Sequence, residues 1–153
     1  MVSSTNNILL SNLTRIRWIA IIGQFIAIIF VFYYLTIEIP IYFCLLVILI
    51  SVLINSYSFL NNKADKYLSD KQAFSFLIFD TIQLSILLYL TGGIYNPFSL
   101  LLIAPLIISA SYLPILYSIC LLLLSLLNVI IISKFFIPIQ WNQLFQVPLY
   151  FAY

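Results

Sequence analysis

The chain has 153 residues, 65% of them hydrophobic and 7% charged, with six Lys and Arg against four Asp and Glu and no histidine. A water-soluble chain averages roughly 45–50% apolar and about 25% charged residues, so these few charges cannot cover a folded globule of this size, and the solvent is lipid. That excludes a cytosolic enzyme, a secreted disulfide scaffold and a nucleic-acid module, and the missing histidine removes any His-based triad, His metal site or phospho-accepting histidine from this chain.

A hydrocarbon core of about 30 Å takes roughly 20 apolar residues as a helix. Residues 1–17 read as a cytoplasmic N-terminal segment, in which Ile8, Leu9, Leu10 and Leu13 would suit a short amphipathic surface helix. The first span is 18–37, entered after Arg15 and Arg17 and closed by Glu38 and Pro40. It is too long for a signal-peptide core, lacks a small-residue cleavage site, and should stay as an anchor. The second span is 41–60, followed by a charged loop with Lys63, Asp65, Lys66, Asp70 and Lys71. The third is 73–90, interrupted once by Asp80.

As a single helix, Phe98 to Ser133 would reach about 54 Å, too far for one crossing. The break falls at Tyr112-Leu113-Pro114, because proline disfavours helix in the residue before it. Spans four and five are then 98–112 and 115–133, and Lys134 to Pro148 reads as a loop. Residues 149–153 begin a sixth apolar segment but reach only about 7.5 Å, so the chain is expected to be the N-terminal fragment of a longer protein. The fold predicted is all-α: a polytopic helical membrane protein of five spans plus the start of a sixth. Placing the N-terminus in the cytoplasm puts Arg15, Arg17, Lys63, Lys66 and Lys71 inside and only Lys134 outside, as the positive-inside bias requires. Cys44 and Cys120 lie in apolar runs without C-x-x-C spacing and read as buried packing residues.

Two of the three glycines are adjacent, in Thr91-Gly92-Gly93-Ile94-Tyr95-Asn96-Pro97-Phe98. One reading is turn chemistry alone: the glycines end the third helix in left-handed backbone, and Asn96-Pro97 caps and starts the fourth. The other is a ligand site at the outer membrane edge. There the fourth helix would present unpaired N–H groups, Asn96 a donor and an acceptor, and Tyr95 and Phe98 flat apolar faces. A benzoquinone asks for that combination, with glycines letting its ring approach the backbone. Pro105 should kink the fourth span and can open a cleft between helices.

Asp80 is the only ionisable side chain inside the core of a predicted span, and such residues are costly enough to be functional candidates. Helical spacing puts Asp80, Gln83, Leu87 and Thr91 within about 60° on one face, which should point into the bundle. Asp80 lies about 16 Å along the axis from Thr91, too far to donate a proton at the loop. It reads instead as an interhelical contact or signalling element paired with Arg17 or Gln24, or as a hydrogen-bonded packing contact. Gln24 beside Gly23 reads equally as interhelical glue.

The chain resembles the membrane sensor of the RegB/PrrB/ActS redox-sensing histidine kinases. The resemblance runs through Arg17-Trp18, Gly23-Gln24, Phe79-Asp80 to Gln83, Leu87 to Gly93, and Asn96-Pro97-Phe98-Ser99-Leu100 on to Ala104-Pro105. Its most specific element is the family heptapeptide G-G-x-x-N-P-F, met by Gly92, Gly93, Asn96, Pro97 and Phe98, with Ile94 and Tyr95 at its variable positions. The resemblance implies a six-span membrane domain, in the bacterial inner membrane, that reads the oxidation state of the ubiquinone pool at that loop. Thr91, Gly92, Gly93, Tyr95, Asn96, Pro97 and Phe98 would form the quinone site, with Asp80, Gln83 and Gln24 as intramembrane polar elements. It also implies a homodimer and a response-regulator partner. The phospho-accepting histidine, the ATP- and Mg-binding kinase core and a redox cysteine would all lie beyond Tyr153. Signalling would be a shift between two packings of the third and fourth helices, biased by quinone against quinol. The reading from a different class is a transporter or membrane-enzyme subunit with Asp80 in a polar path; a structural protein without ligand is a third.

Overall fold

Runs of Leu and Ile with proline confined to turns and first helical turns leave the backbone one way to satisfy its hydrogen bonds in lipid, the helix. The computed structural model describes residues 10–34, 38–61 and 68–138. In chain order these form α1 (Leu10–Tyr33), α2 (Ile41–Asn61), α3 (Asp70–Leu90), short 3-10 helices at Gly93–Tyr95 and Pro97–Leu102, α4 (Ile103–Tyr112) and α5 (Ile115–Lys134). The architecture is all-α as the sequence predicts. Among the described residues four helices, α1, α2, α3 and α5, are long and apolar enough to cross a membrane. The expected fourth span is the shorter apolar helix Phe98–Tyr112, and the start of the sixth, 149–153, lies outside the described residues, as do 1–9.

Two helix starts differ from the reading of the sequence. Helix α1 begins at Leu10 rather than Trp18, because Arg15 and Arg17 are good helix formers and Arg17 is buried against a partner on α3. Helix α3 begins at Asp70 rather than Ala73: the Ser69 hydroxyl accepts from the Gln72 amide while the Gln72 side chain accepts from the Ser69 amide, a reciprocal capping box. Helix α1 ends at Tyr33, short of the expected 37, and the fourth span opens as 3-10 helix, whereas α2 and α5 follow the sequence closely. Leu113, with φ −106° and ψ 156°, is extended between α4 and α5, as the following Pro114 demands.

Helix α3 is the central helix: 50% of its apolar window is buried, against 17% for α1 and α5. It contributes to every cluster of the core. Leu87 and Leu90 pack with Ile21, Ile28, Cys44 and Ile48 of α1 and α2. Ala73 and Leu77 pack with Leu13 and Leu121, and Leu84 and Leu88 with Leu102 and Ile132. Polar side chains inside are held by the helices themselves. Thr81 and Ser85 donate to the carbonyls of Leu77 and Thr81, Ser109 and Ser118 join α4 to α5 at 3.0 Å, and Asn55 donates to the Thr14 carbonyl across α1 and α2.

Two further expectations change. Cys44 is fully buried, but Cys120 is exposed, since α5 buries only the stripe carrying Leu121, Ser125 and Ile132 and Cys120 falls beside it. Pro105 does not kink a continuous α-helix. The chain switches from 3-10 to α geometry at Ile103, which places Pro105 in the first turn of α4, where no intrahelical N–H is required.

A lipid-facing cleft between the Gly-Gly turn and an intramembrane ion pair

The turn after α3 is built by its glycines. Gly92 has φ 100° and Gly93 φ 65°, left-handed conformations that cost an L side chain about 1–2 kcal/mol. Gly93 is further fixed by packing: a Cβ there would meet Phe136 Cβ and Cγ at 2.7 Å. Phe136 reaches the turn because the chain leaving α5 folds back over it. The Ile137 amide donates to the Tyr89 carbonyl at 2.9 Å, and Phe136 meets Tyr95 edge-on at 5.7 Å. This strap had no signal in the sequence beyond a pair of aromatics in a loop.

Asn96 ties the turn to the helix before it and caps the helix after it. Its Nδ2 donates to the Thr91 carbonyl at 3.0 Å and to the Thr91 hydroxyl at 2.7 Å, and its Oδ1 accepts from the Phe98 amide at 2.9 Å. Thr91 in turn donates to the Leu87 carbonyl. The Ser99 amide is bonded to the Asn96 carbonyl, and Pro97 has no N–H. Among the described residues the free helix N-terminus expected here is therefore not found: the Asn96, Phe98 and Ser99 amides are bonded within the loop, and both Asn96 donors are in use. What it leaves open to a neighbour is the exposed Tyr95 and Phe98 rings.

Along α1 and α3 the polar groups behave differently. Asp80 pairs with Arg17, Nε to Oδ1 at 3.0 Å, and the guanidinium lies over the rings of Phe76 at 4.9 Å and Phe79 at 5.5 Å. The Arg17 side chain is 5% exposed, and its Nη2 has no hydrogen-bond partner among the described residues. Next to this pair the Gln83 amide donates to Gln24 Oε1 at 2.8 Å. Sequence reasoning named Arg17 only as one possible partner of Asp80. Its burial depends on α1 starting at Leu10, which puts Arg17 well inside a helix.

One cavity of about 620 Å³ joins the two regions. Arg17, Gly23, Gln24, Asp80 and Gln83 line its inner part, Thr91, Tyr95, Asn96 and Phe98 its outer part, and Pro105 of α4 also stands in its wall. Gly92 and Gly93 act through the backbone of the turn. Gly23 is not a packing contact: a Cβ there meets nothing within 4 Å, and the residue faces the cavity. Phe30, Phe98 and Leu101 on the rim are exposed, so the cavity opens on the lipid-facing surface of the bundle.

Fold and site together define a multi-pass helical membrane domain with a lipid-accessible cleft that carries an ion pair at one end. Over 100 residues, 65% of this chain, it is 40% identical to the sensor histidine kinase RegB of Cereibacter sphaeroides. The resemblance to RegB-type sensor kinases drawn from the heptapeptide is borne out by this match. The matched region spans 22% of that relative's length. No family model matches the chain, and no solved structure does.

Proposed function

We propose that this chain is the membrane sensor region of a two-component histidine kinase of the bacterial inner membrane, reading the ubiquinone pool. The observation that carries the reading is the cleft. It is apolar along its walls, open to lipid, and furnished with a few polar groups, as small-molecule sites usually are. The relative's name supports the kinase, and the heptapeptide supports the ligand. A bound quinone supplies two acceptor carbonyls when oxidised and two hydroxyls, each donor and acceptor, when reduced. Tyr95 and Phe98 would give flat faces to its ring at the outer end, and Gly92, Gly93, Asn96, Pro97 and Thr91 would hold those faces in place. Because Asn96 is internally bonded, its part is to fix the loop rather than to donate to the ligand.

Helix α4 with its 3-10 extension serves as a further span in this reading. The 3-10 rise is longer than the α rise, so the two together extend about 27 Å, close to the hydrocarbon thickness. The N-terminus would be cytoplasmic. Signalling would be a population shift in how α1, α3 and α4 pack around the cleft, limited by the difference in affinity for quinone and quinol. The kinase with its ATP and Mg, the response regulator and a homodimeric assembly belong to the whole protein.

Titrating the domain in nanodiscs with a short-tailed ubiquinone, with Trp18 fluorescence in a Trp141→Phe background as the readout, tests this. Saturable quenching above the linear partition background is expected. Quenching that stays linear with the quinone content of the lipid would remove the sensor reading.

A further inference from the structure

We infer that Arg17 donates the hydrogen bond that recognises an acceptor oxygen of the quinone ring, at the inner end of the cleft rather than at the Gly-Gly turn. This rests on the quinone reading above and places the polar recognition within it. At the turn both Asn96 donors and the Phe98 and Ser99 amides are bonded inside the loop, and the Tyr95 hydroxyl there is exposed and keeps its hydration. Arg17 is the opposite case. It is 5% exposed, held through Nε by Asp80 and flanked by the Phe76 and Phe79 rings, yet its Nη2 is without a partner in the wall of the same cavity. A buried donor without a partner in an apolar setting loses its hydration and gains nothing in return, so an acceptor that enters the cleft is favoured there.

The neighbouring wall extends the match. The Gln83–Gln24 bond uses the Gln24 oxygen and leaves the Gln24 amide as a second donor in the wall of the same cavity. A ring with two opposed carbonyls presents acceptors only. Its reduced form presents hydroxyls, whose oxygens still accept from Arg17 while their hydrogens turn to Asp80 or Gln83 for an acceptor. The cleft's small α1 residues, Ala20 and Gly23, let the ring pass along it.

The test is infrared difference spectroscopy of a short-tailed ubiquinone carrying carbon-13 at one ring carbonyl, bound to the parent domain in nanodiscs. One carbonyl band is expected to move to lower frequency than in lipid alone, and to return to its lipid position in Arg17→Gln. Quinone affinity should fall about 10-fold or more in that variant, the scale of a lost hydrogen bond to a charged group. The double variant Arg17→Gln, Asp80→Asn keeps a neutral bonded pair and should lose the shift in the same way while keeping the helix content of the parent. Saturable binding by the parent with both carbonyl bands unshifted would overturn the role of Arg17 and leave the quinone reading standing. Absence of saturable binding by the parent would overturn both.

Discussion

At the outer end of the cleft Thr91, Asn96 and the Phe98 amide satisfy one another within a single turn, whereas at the inner end Arg17 and Asp80 meet across 63 residues of sequence and leave a donor over. The outer end is closed chemistry: glycines with positive φ fix its path, and a strap from beyond α5 packs on it. The inner end is open chemistry, made of side chains from two helices, with a polar pair set between their apolar contacts. A frame that does not change and a wall that does is the arrangement a switch requires, since a ligand can shift only what has two arrangements to choose from.

Breaking the inner wall should have the largest effect. Asp80→Ala leaves the buried Arg17 charge unpaired and should lower stability by about 3–5 kcal/mol, read as an earlier unfolding midpoint in mixed micelles. Replacing both residues by leucine should recover most of that loss; if the double variant is as unstable as the single, the ion pair is not what holds α1 to α3. The outer frame comes next. Gly93→Ala forces a side chain into left-handed backbone and against Phe136, and should cost about 1–3 kcal/mol in the same assay. An unchanged midpoint would mean that the turn and strap are not packed as described.

Asn96→Ala removes one cap and both bonds to Thr91 and should cost about 1–2 kcal/mol. A larger loss of quinone binding than of stability in this variant would show the asparagine touching ligand directly. Gly23 gives the smallest structural effect: Gly23→Leu adds a side chain where nothing stands within 4 Å of the Cβ position, so thermal stability should stay within about 1 kcal/mol of the parent. Short-tailed ubiquinone should nevertheless bind several-fold more weakly, because the leucine fills the cleft. Equal binding by parent and variant would place the ligand elsewhere.

What could be read from the residues was whatever local chemistry decides. Gly92, Gly93 and Asn96-Pro97 announced a turn and a cap because positive φ and proline at the first helical position are properties of single residues. The break before Pro114 was legible for the same reason. The start of α3 was missed because its signal, Ser69 with Gln72, sits in a charged stretch that reads as loop. The start of α1 was missed because two arginines look like a membrane boundary when only hydropathy is counted. Arg17 as a buried wall residue and Phe136 as the cover of Gly93 depend on which helices become neighbours, and no local pattern carries that.

The most direct test of the cleft as the ligand site is photo-crosslinking with a benzoquinone analogue carrying a diazirine on a short tail, followed by peptide mapping of the reconstituted domain. Label concentrated on the 17–27 stretch of α1 and on Tyr95 and Phe98, and displaced by excess ubiquinone, is the expected result. Label spread over outward residues of α2 and α5 such as Leu53 and Leu123, and unaffected by competitor, would contradict it.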